Sequence, residues 1–224
     1  MKVKATPRSG KVVIEVESHE EGLPPIAIPE LVDPEGNFSP DPAQAGLRYF
    51  FGRRLRPFLR REITAQFEKF EQTSLELDHV NGHLNMHMHP TVFSILKHHT
   101  REWGIRRFRL TRDPFWLNAR LASGRWCYRI THALIYTLLS WHVRPGLHRQ
   151  RILYTPAVFG LLQTGRVNES FLARLLPRLP EGDSEIYSHP SLDEFKDELD
   201  ALMSQKIKAL VEQLGIERIR YQDL

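Results

Sequence analysis

Apolar positions recur along this chain with two alternating periods, one typical of helices and one typical of strands. Ile63, Phe67 and Phe70 stand three or four positions apart between charged neighbours, which predicts a helix. Strand-like and helix-like patterns then alternate in this order: strand 75–80, helix 90–104, strands 105–110 and 157–160, helix 171–176 that follows Asn168 as its start signal, strand 185–187, helix 193–214 and strand 216–219. This repeated order favours a parallel sheet or barrel, so we predict an α/β fold.

One long stretch combines helical spacing with an excess of basic residues. Between residues 101 and 151 the sequence has eleven arginines and two acidic residues. All four tryptophans also lie there, and apolar residues recur at helical spacing: Ile130, Leu134, Leu138 and Trp141. Two interpretations stay open: a helical insertion near 115–153 that packs on the main domain, or a surface that rests on an anionic membrane, where tryptophan prefers the interface. Nucleic acid is not an expected partner, because no recognised binding motif accompanies the charge.

The densest chemical feature is the segment 78–90, Asp-His-Val-Asn-Gly-His-Leu-Asn-Met-His-Met-His-Pro, which holds four of the eleven histidines. Imidazole binds metals and titrates near neutral pH, so the cluster suggests metal binding, proton transfer or both. It lies between a predicted strand and the helix that Pro90 opens, where α/β proteins build their sites. If the segment is extended, His79, Asn81 and His83 share one face. The alternative is a solvated loop whose histidines bond to backbone carbonyls.

Two later positions also follow predicted strands. His189 comes directly after the strand at 185–187, an arrangement that a simple strand end also explains. Arg109 and Arg112 lie at the end of an earlier strand, where a guanidinium group can clamp sugar hydroxyls or a phosphate. We expect Arg109 to form an ordinary surface ion pair, and Arg112, just past the strand, to be the site residue.

Several motifs resemble those of one family, in the same order. Asn81-Gly82-His83 followed by His87-Met88-His89-Pro90 resembles the central motif of the YdjC-like carbohydrate deacetylases. Four further segments look like that family, and specifically like its hopanoid-biosynthesis-associated branch: Glu-Gly-Leu-Pro-Pro at 21–25, Leu-Val-Asp-Pro-Glu-Gly-Asn-Phe at 31–38, Arg-Leu-Thr-Arg-Asp-Pro at 109–114 and Ser-Glu-Ile-Tyr-Ser-His-Pro at 184–190. The resemblance covers about residues 21 to 224, and the ordered set is more specific than any single motif.

The resemblance implies an irregular (β/α) barrel of the polysaccharide-deacetylase-like type. In that family a divalent metal ion is held by an aspartate in an N-terminal Ala-Asp-Asp-Phe-Gly motif, a histidine after a second strand and the first histidine of the central motif. His83 matches the last of these. The aspartate motif is absent, and Val16 stands where the family has its other histidine, with His19 as the nearest substitute. We therefore expect residues 1–20 to be a divergent segment, and residues 21–224 to form a deacetylase domain that lacks the first strand–helix portion of the barrel.

The resemblance also implies roles for individual residues. His83 and His87 would bind the metal ion, zinc or magnesium, and His189 would protonate the leaving amine. Asn81 and Arg112 would contact the sugar. The expected function is metal-dependent deacetylation of an N-acetylated amino sugar, on a lipid-linked hopanoid headgroup. The alternative is a catalytically inactive, truncated homologue that keeps only sugar or partner binding.

Composition agrees with a single enzyme domain. The chain has 224 residues, enough for one sizeable core and somewhat fewer than the roughly 250 of a complete barrel of this type. Its one cysteine, Cys127, suits a reducing compartment, and the sequence shows neither a signal peptide nor a spanning helix. We expect a cytoplasmic protein, or one peripheral at the inner membrane face, with a sugar or glycolipid as substrate.

Overall fold

The computed structural model describes residues 22–224 in full and, before them, the backbone of two antiparallel strands, β1 (Lys2–Arg8) and β2 (Lys11–Glu17). The chain divides into two compact units: unit 1 is Met1–Leu77 with Asn81–Gly104, and unit 2 is Asp78–Val80 with Ile105–Leu224. The described chain is rich in helix and has a small parallel sheet, which confirms the α/β class. The barrel type stays a prediction, and His19 lies outside the described residues.

The described part of unit 1 has three α-helices: α1 (Pro42–Phe51), α2 (Arg56–Glu71) and α3 (Pro90–His98). The helix predicted around Phe67 is confirmed as α2. Local sequence explains where α1 and α3 begin, since both start with proline and the side chain before it, Asp41 or His89, accepts backbone N–H groups. Buried apolar side chains form the core of this unit: Ile28, Leu31, Ala45, Tyr49 and Leu59.

The third helix is shorter than the predicted helix 90–104. It ends at His98, where the hydroxyl of Thr100 donates to two carbonyls of the last turn, at 3.2 and 3.0 Å. A side chain that donates to these carbonyls competes with the backbone donors that would continue the helix. Gly104, with φ of +63°, lies in the left-handed region at the end of the turn that follows the helix, so the helix end predicted at residue 104 is six residues too late.

Two residues of the motif at 21–25, Gly22 and Leu23, hold the chain against α2. Gly22 and Leu23 donate their backbone N–H groups to the two carboxylate oxygens of Glu62, at 2.5 and 2.9 Å. A Cβ on Gly22 would lie 2.7 Å from the carbonyl oxygen of Glu62 and 2.8 Å from the amide nitrogen of Gln66. Only glycine permits this approach, so the described part of the motif has a structural role.

Unit 2, which is described throughout, has five α-helices: α4 (Phe115–Leu121), α5 (Trp126–Gln150), α6 (Glu169–Leu175), α7 (Lys196–Met203) and α8 (Gln205–Gln213). The helix predicted behind Asn168 is α6, and Asn168 caps it. The single helix predicted at 193–214 is instead two helices. Between them, the Ser204 hydroxyl accepts the N–H of Ile207 at 3.3 Å and donates to Glu169 at 2.6 Å, so α8 begins with its own cap.

Four stretches of unit 2 bond side by side in parallel order: residues 78–80, 105–112, 153–159 and 184–187. The last two contain regular strands, β3 (Ala157–Phe159) and β4 (Ser184–Ile186), which confirms the strands predicted at 157–160 and 185–187. The first two form only single bridges, so the strands predicted at 75–80 and 105–110 are shorter than expected. Residues 216–219, predicted as a strand, have no regular structure.

Close packing marks the end of β3. Gly160 has φ of +106°, and a Cβ there would lie 2.1 Å from the carbonyl oxygen of Tyr187. The carboxylate of Asp113 completes this junction by accepting the N–H groups of Gly160 and Leu162, at 3.0 and 3.1 Å. Burial raises the pKa of Asp113 to about 6, although these hydrogen bonds and Arg129 act in the opposite direction.

The fourth and fifth helices occupy the region predicted as a basic insertion. The helical spacing predicted there is confirmed. The apolar side chains at this spacing do not pack on the rest of the domain, because they are 51–63% exposed: Ile130, Leu134, Leu138 and Trp141. Within the described residues, none of the helices combines the length and the apolar character needed to cross a membrane.

Candidate functional site

The histidine-rich segment of unit 1 folds into a short 3₁₀ helix, His83–Met88. Leu84 and Asn85 within it adopt left-handed backbone conformations, with φ of +50° and +57°. The backbone is therefore not extended from His83 to Met88, and side chains in this part do not alternate between two faces. The tight turn instead brings the buried ring of His87 back against Gly82, where an added Cβ would lie 3.0 Å from the His87 amide nitrogen.

Hydrogen bonds fix the rings of His87 and His89. The N–H of Gly82 donates to Nδ1 of His87 at 3.1 Å, so a neutral His87 ring has its proton on Nε2. His89 uses both nitrogens, because Nδ1 accepts the N–H of Thr91 at 3.2 Å and Nε2 donates to the carbonyl of Gly46 at 3.0 Å. His89 therefore has a structural role as the cap of α3.

The described residues do not by themselves form a metal centre. Asn81 and His83 are exposed, and no group of three or more His, Cys, Asp or Glu side chains in the described chain is arranged to hold a metal ion. A neutral histidine binds a metal ion through the lone pair of its unprotonated nitrogen, and in His87 that lone pair already accepts the N–H of Gly82. In this arrangement His87 does not offer that lone pair to a metal ion, and metal binding by His83 stays a prediction.

In unit 2, two side chains fix His189 just after β4. Its backbone N–H donates to Glu198 Oε2 at 2.5 Å, and its Nε2 lies 2.5 Å from the hydroxyl of Tyr187. Glu198 lies on α7, is fully buried, and accepts the N–H of Val167 at its other oxygen, at 3.0 Å. The remaining ring nitrogen of His189, Nδ1, is buried and has no hydrogen-bond partner among the described residues.

A buried ion pair lies beside this histidine. Arg109 is 2.5 Å from Glu185, and its guanidinium lies 5.4 Å from the centre of the Tyr187 ring. Burial by itself lowers the pKa of Arg109, but the charge of Glu185 offsets this and the pKa is raised overall. The surface ion pair expected for Arg109 is thus replaced by a buried one.

The same carboxylate links the ion pair to His79. The hydroxyl of Tyr221 donates to Glu185, and burial, followed by the charge of Glu185, raises the pKa of Tyr221. The Tyr221 ring stacks on His79 with centroids 4.0 Å apart, and His79 Nδ1 lies 2.9 Å from a carboxylate oxygen of Asp78. We call the connected set the unit 2 polar network: Asp78, His79, Arg109, Glu185, Tyr187, His189, Glu198 and Tyr221.

Sequence reasoning identified only part of this network. It selected His189 but missed the groups that hold it, Tyr187 and Glu198. Alternation along β4 is a signal that could have indicated Glu185 and Tyr187, because residues 185, 187 and 189 share one side of an extended segment. No comparable signal marks Glu198, whose hydrogen-bond partners His189 and Val167 are 9 and 31 positions away in the sequence.

Comparison with known proteins identifies the family of this chain. A family model described as YdjC-like protein matches residues 10–213. The chain belongs to the YdjC-like family. A crystal structure from Enterococcus faecalis V583, named as a candidate cellobiose-phosphate cleavage protein, has a TM-score of 0.60 and 18% sequence identity to this YdjC-like chain, over 90% of this chain and 71% of that one. This likeness establishes a shared fold. Among curated proteins, none matches the chain.

The predicted site residues of this YdjC-like protein belong to different units. Asn81, His83 and His87 are part of unit 1, and Arg112 and His189 are part of unit 2. Arg112 is half-buried, and its backbone carbonyl accepts the N–H of Val158 at 3.0 Å, which holds it beside β3.

Proposed function

We propose that this YdjC-like chain removes the acetyl group from an N-acetylated amino sugar, with His189 as the general acid. The observation that supports it best is the support of His189 by Glu198 and Tyr187 directly after a parallel strand. Ligand sites of parallel α/β sheets lie at the carboxyl ends of the strands. A sugar substrate also agrees with the name of the Enterococcus faecalis protein, which refers to cellobiose phosphate.

The chemistry requires a proton at the leaving amine. In amide hydrolysis the amine leaves only when an acid protonates it, and imidazole is the usual side chain for this task. If the Tyr187 hydroxyl donates to Nε2 of His189, the neutral ring has its proton on Nδ1, which has no partner among the described residues. A buried nitrogen of this kind calls for an explanation, and a substrate amine would supply its partner.

The resemblance to hopanoid-associated deacetylases extends the proposal to the substrate and the metal. The sugar would be the headgroup of a lipid-linked hopanoid, and Arg112 of unit 2 would contact it. A sugar contact by Asn81 of unit 1 stays a prediction from the sequence. A divalent ion, zinc or magnesium, would supply an activated water when bound. His83 would hold it, and His87 would join only after releasing the N–H of Gly82.

The second candidate is a catalytically inactive homologue that keeps sugar or partner binding. One observation favours it: within the described residues, no three His, Cys, Asp or Glu side chains are arranged to hold a metal ion. A single histidine with water as the other ligands binds zinc weakly, because protein zinc sites normally use three or four side chains.

Acetate release from free and lipid-linked N-acetylated amino sugars, measured with and without added zinc or magnesium, distinguishes the two candidates. If the chain is a deacetylase, His189→Ala should lower the rate by roughly 10²- to 10⁴-fold. The control His98→Ala changes an exposed histidine and should leave the rate unchanged. Unchanged turnover in His189→Ala would remove that residue from the mechanism. Sugar binding without acetate release under any metal condition would establish the inactive homologue.

A further inference from the structure

The exposed face of α5 is apolar and uncharged over most of its length. Five large side chains on it are 48–63% exposed: Trp126, Ile130, Leu134, Leu138 and Trp141. With 3.6 residues per turn they fall within an arc of about 120°, and they extend over roughly 22 Å of the helix. The helix packs on unit 2 through its other side, where Ser140, Val143 and Leu147 are buried.

The charged side chain in this part of α5 is buried on the opposite side of the helix. Arg129 is the one charged residue between Trp126 and Trp141, and it is turned inward, where its Nε donates to Asn118 at 2.9 Å. Its guanidinium also lies 4.5 Å from the centre of the Trp126 ring. The solvent-facing side of this part of α5 therefore presents only uncharged side chains.

Positive charge lies at both ends of the same helix. Arg125 precedes it, and Arg144, Arg149 and Arg151 lie in or just after its last two turns. No aspartate or glutamate occurs anywhere from residue 114 to residue 168. The apolar face is thus bordered by arginines without acidic neighbours in the sequence.

We propose that α5 docks this protein in the plane of an anionic lipid surface. Its exposed face would enter the boundary between headgroups and acyl chains, Trp126 and Trp141 would lie at the interface, and the terminal arginines would contact lipid phosphates. Charge complementarity selects this partner over a second copy of the chain. Two copies of α5 would bring arginines together with no acidic residue of the stretch to pair with them. This proposal rests on α5 alone and does not depend on the proposed catalytic activity.

Co-sedimentation with vesicles tests the docking. The protein should sediment with vesicles of phosphatidylcholine and phosphatidylserine at low salt, and much less at high salt or with phosphatidylcholine alone, because each arginine near an anionic surface is worth about fivefold in partitioning and salt screens it. Tryptophan fluorescence should shift to shorter wavelength on binding, as the exposed indoles of Trp126 and Trp141 leave water.

A matched pair of leucine variants locates the surface. Leu134→Ser should reduce vesicle binding about tenfold or more, whereas Leu192→Ser, which changes an exposed leucine of unit 2 outside α5, should leave it unchanged. Both positions are exposed, so neither change should alter the melting curve. The proposal is overturned if the unaltered protein stays in solution with anionic vesicles at low salt, or if both variants bind equally well. It is also overturned if light scattering finds a dimer that Leu134→Ser converts to a monomer.

Discussion

The buried carboxylate of Asp113 should make the stability of the protein fall as the pH rises. Burial raises its pKa from 3.8 to about 6, whereas in the unfolded chain it returns to the ordinary value. A raised folded-state pKa contributes stability that is fully present below about pH 4 and is lost as the pH rises through about 6. The shift of about 2.2 pH units corresponds to roughly 3 kcal/mol of unfolding free energy.

Asp113→Asn isolates this contribution. The amide oxygen of asparagine can still accept the N–H groups of Gly160 and Leu162, but its NH₂ group takes the place of Asp113 Oδ1, which is buried without a partner. An unpaired buried donor costs about 1–3 kcal/mol at every pH. Because asparagine does not ionise, the substitution also removes the pH-dependent contribution of Asp113 to the unfolding free energy.

The measurement is urea denaturation of both proteins between pH 4 and pH 8. The unfolding free energy of Asp113→Asn minus that of the unaltered protein should rise by roughly 2.4 kcal/mol over this range, because part of the effect is already present at pH 4 and all other titrating groups cancel. Asp183→Asn, which removes an exposed aspartate of the same unit, should change stability by less than about 0.5 kcal/mol. A difference for Asp113→Asn that does not vary with pH would refute the assignment of a raised pKa.

Three further changes test the packing of unit 2. Gly182→Ala adds a Cβ in open space at a left-handed residue and should lower the unfolding free energy by about 1–2 kcal/mol. Gly160→Ala should lower it by at least about 2 kcal/mol more, because the added Cβ also meets a carbonyl oxygen. Equal losses of unfolding free energy in urea denaturation would contradict this. Arg109→Ala should lower the unfolding free energy by about 3–5 kcal/mol, because Glu185 loses its positive partner. Adding Glu185→Ala should restore part of this stability. A double variant no more stable than Arg109→Ala alone would exclude a buried unpaired charge as the cause. Ser204→Ala should lower stability by about 1 kcal/mol in thermal denaturation, and an unchanged melting temperature would show that the cap of α8 is dispensable.

Sequence reasoning succeeded where structure is determined locally. The helical spacing of Ile63, Phe67 and Phe70, and Asn168 as a cap, depend on residues within a few positions of one another, and both predictions agree with the structure. The strand predictions at 157–160 and 185–187 rest on short local patterns of residues typical of strands and also hold.

It failed where the conformation depends on distant partners or on strained backbone. A leucine in the left-handed region, as at Leu84, is uncommon enough that no apolar pattern predicts it. The break at Ser204 depends on Glu169, which is 35 positions away. The site shows the same limit: the motif identified His189, but the support from Glu198 joins residues that only the folded chain brings together.

The position of Glu198 has a consequence for the dynamics of unit 2. One carboxylate accepts the amide hydrogens of Val167 and His189, so the loop before α6 and the loop after β4 share one attachment. Neither amide can open to solvent through movement of α7 without exposing the other at the same time. Their hydrogen exchange should therefore be cooperative, with one opening free energy for two loops that are 22 positions apart in the sequence.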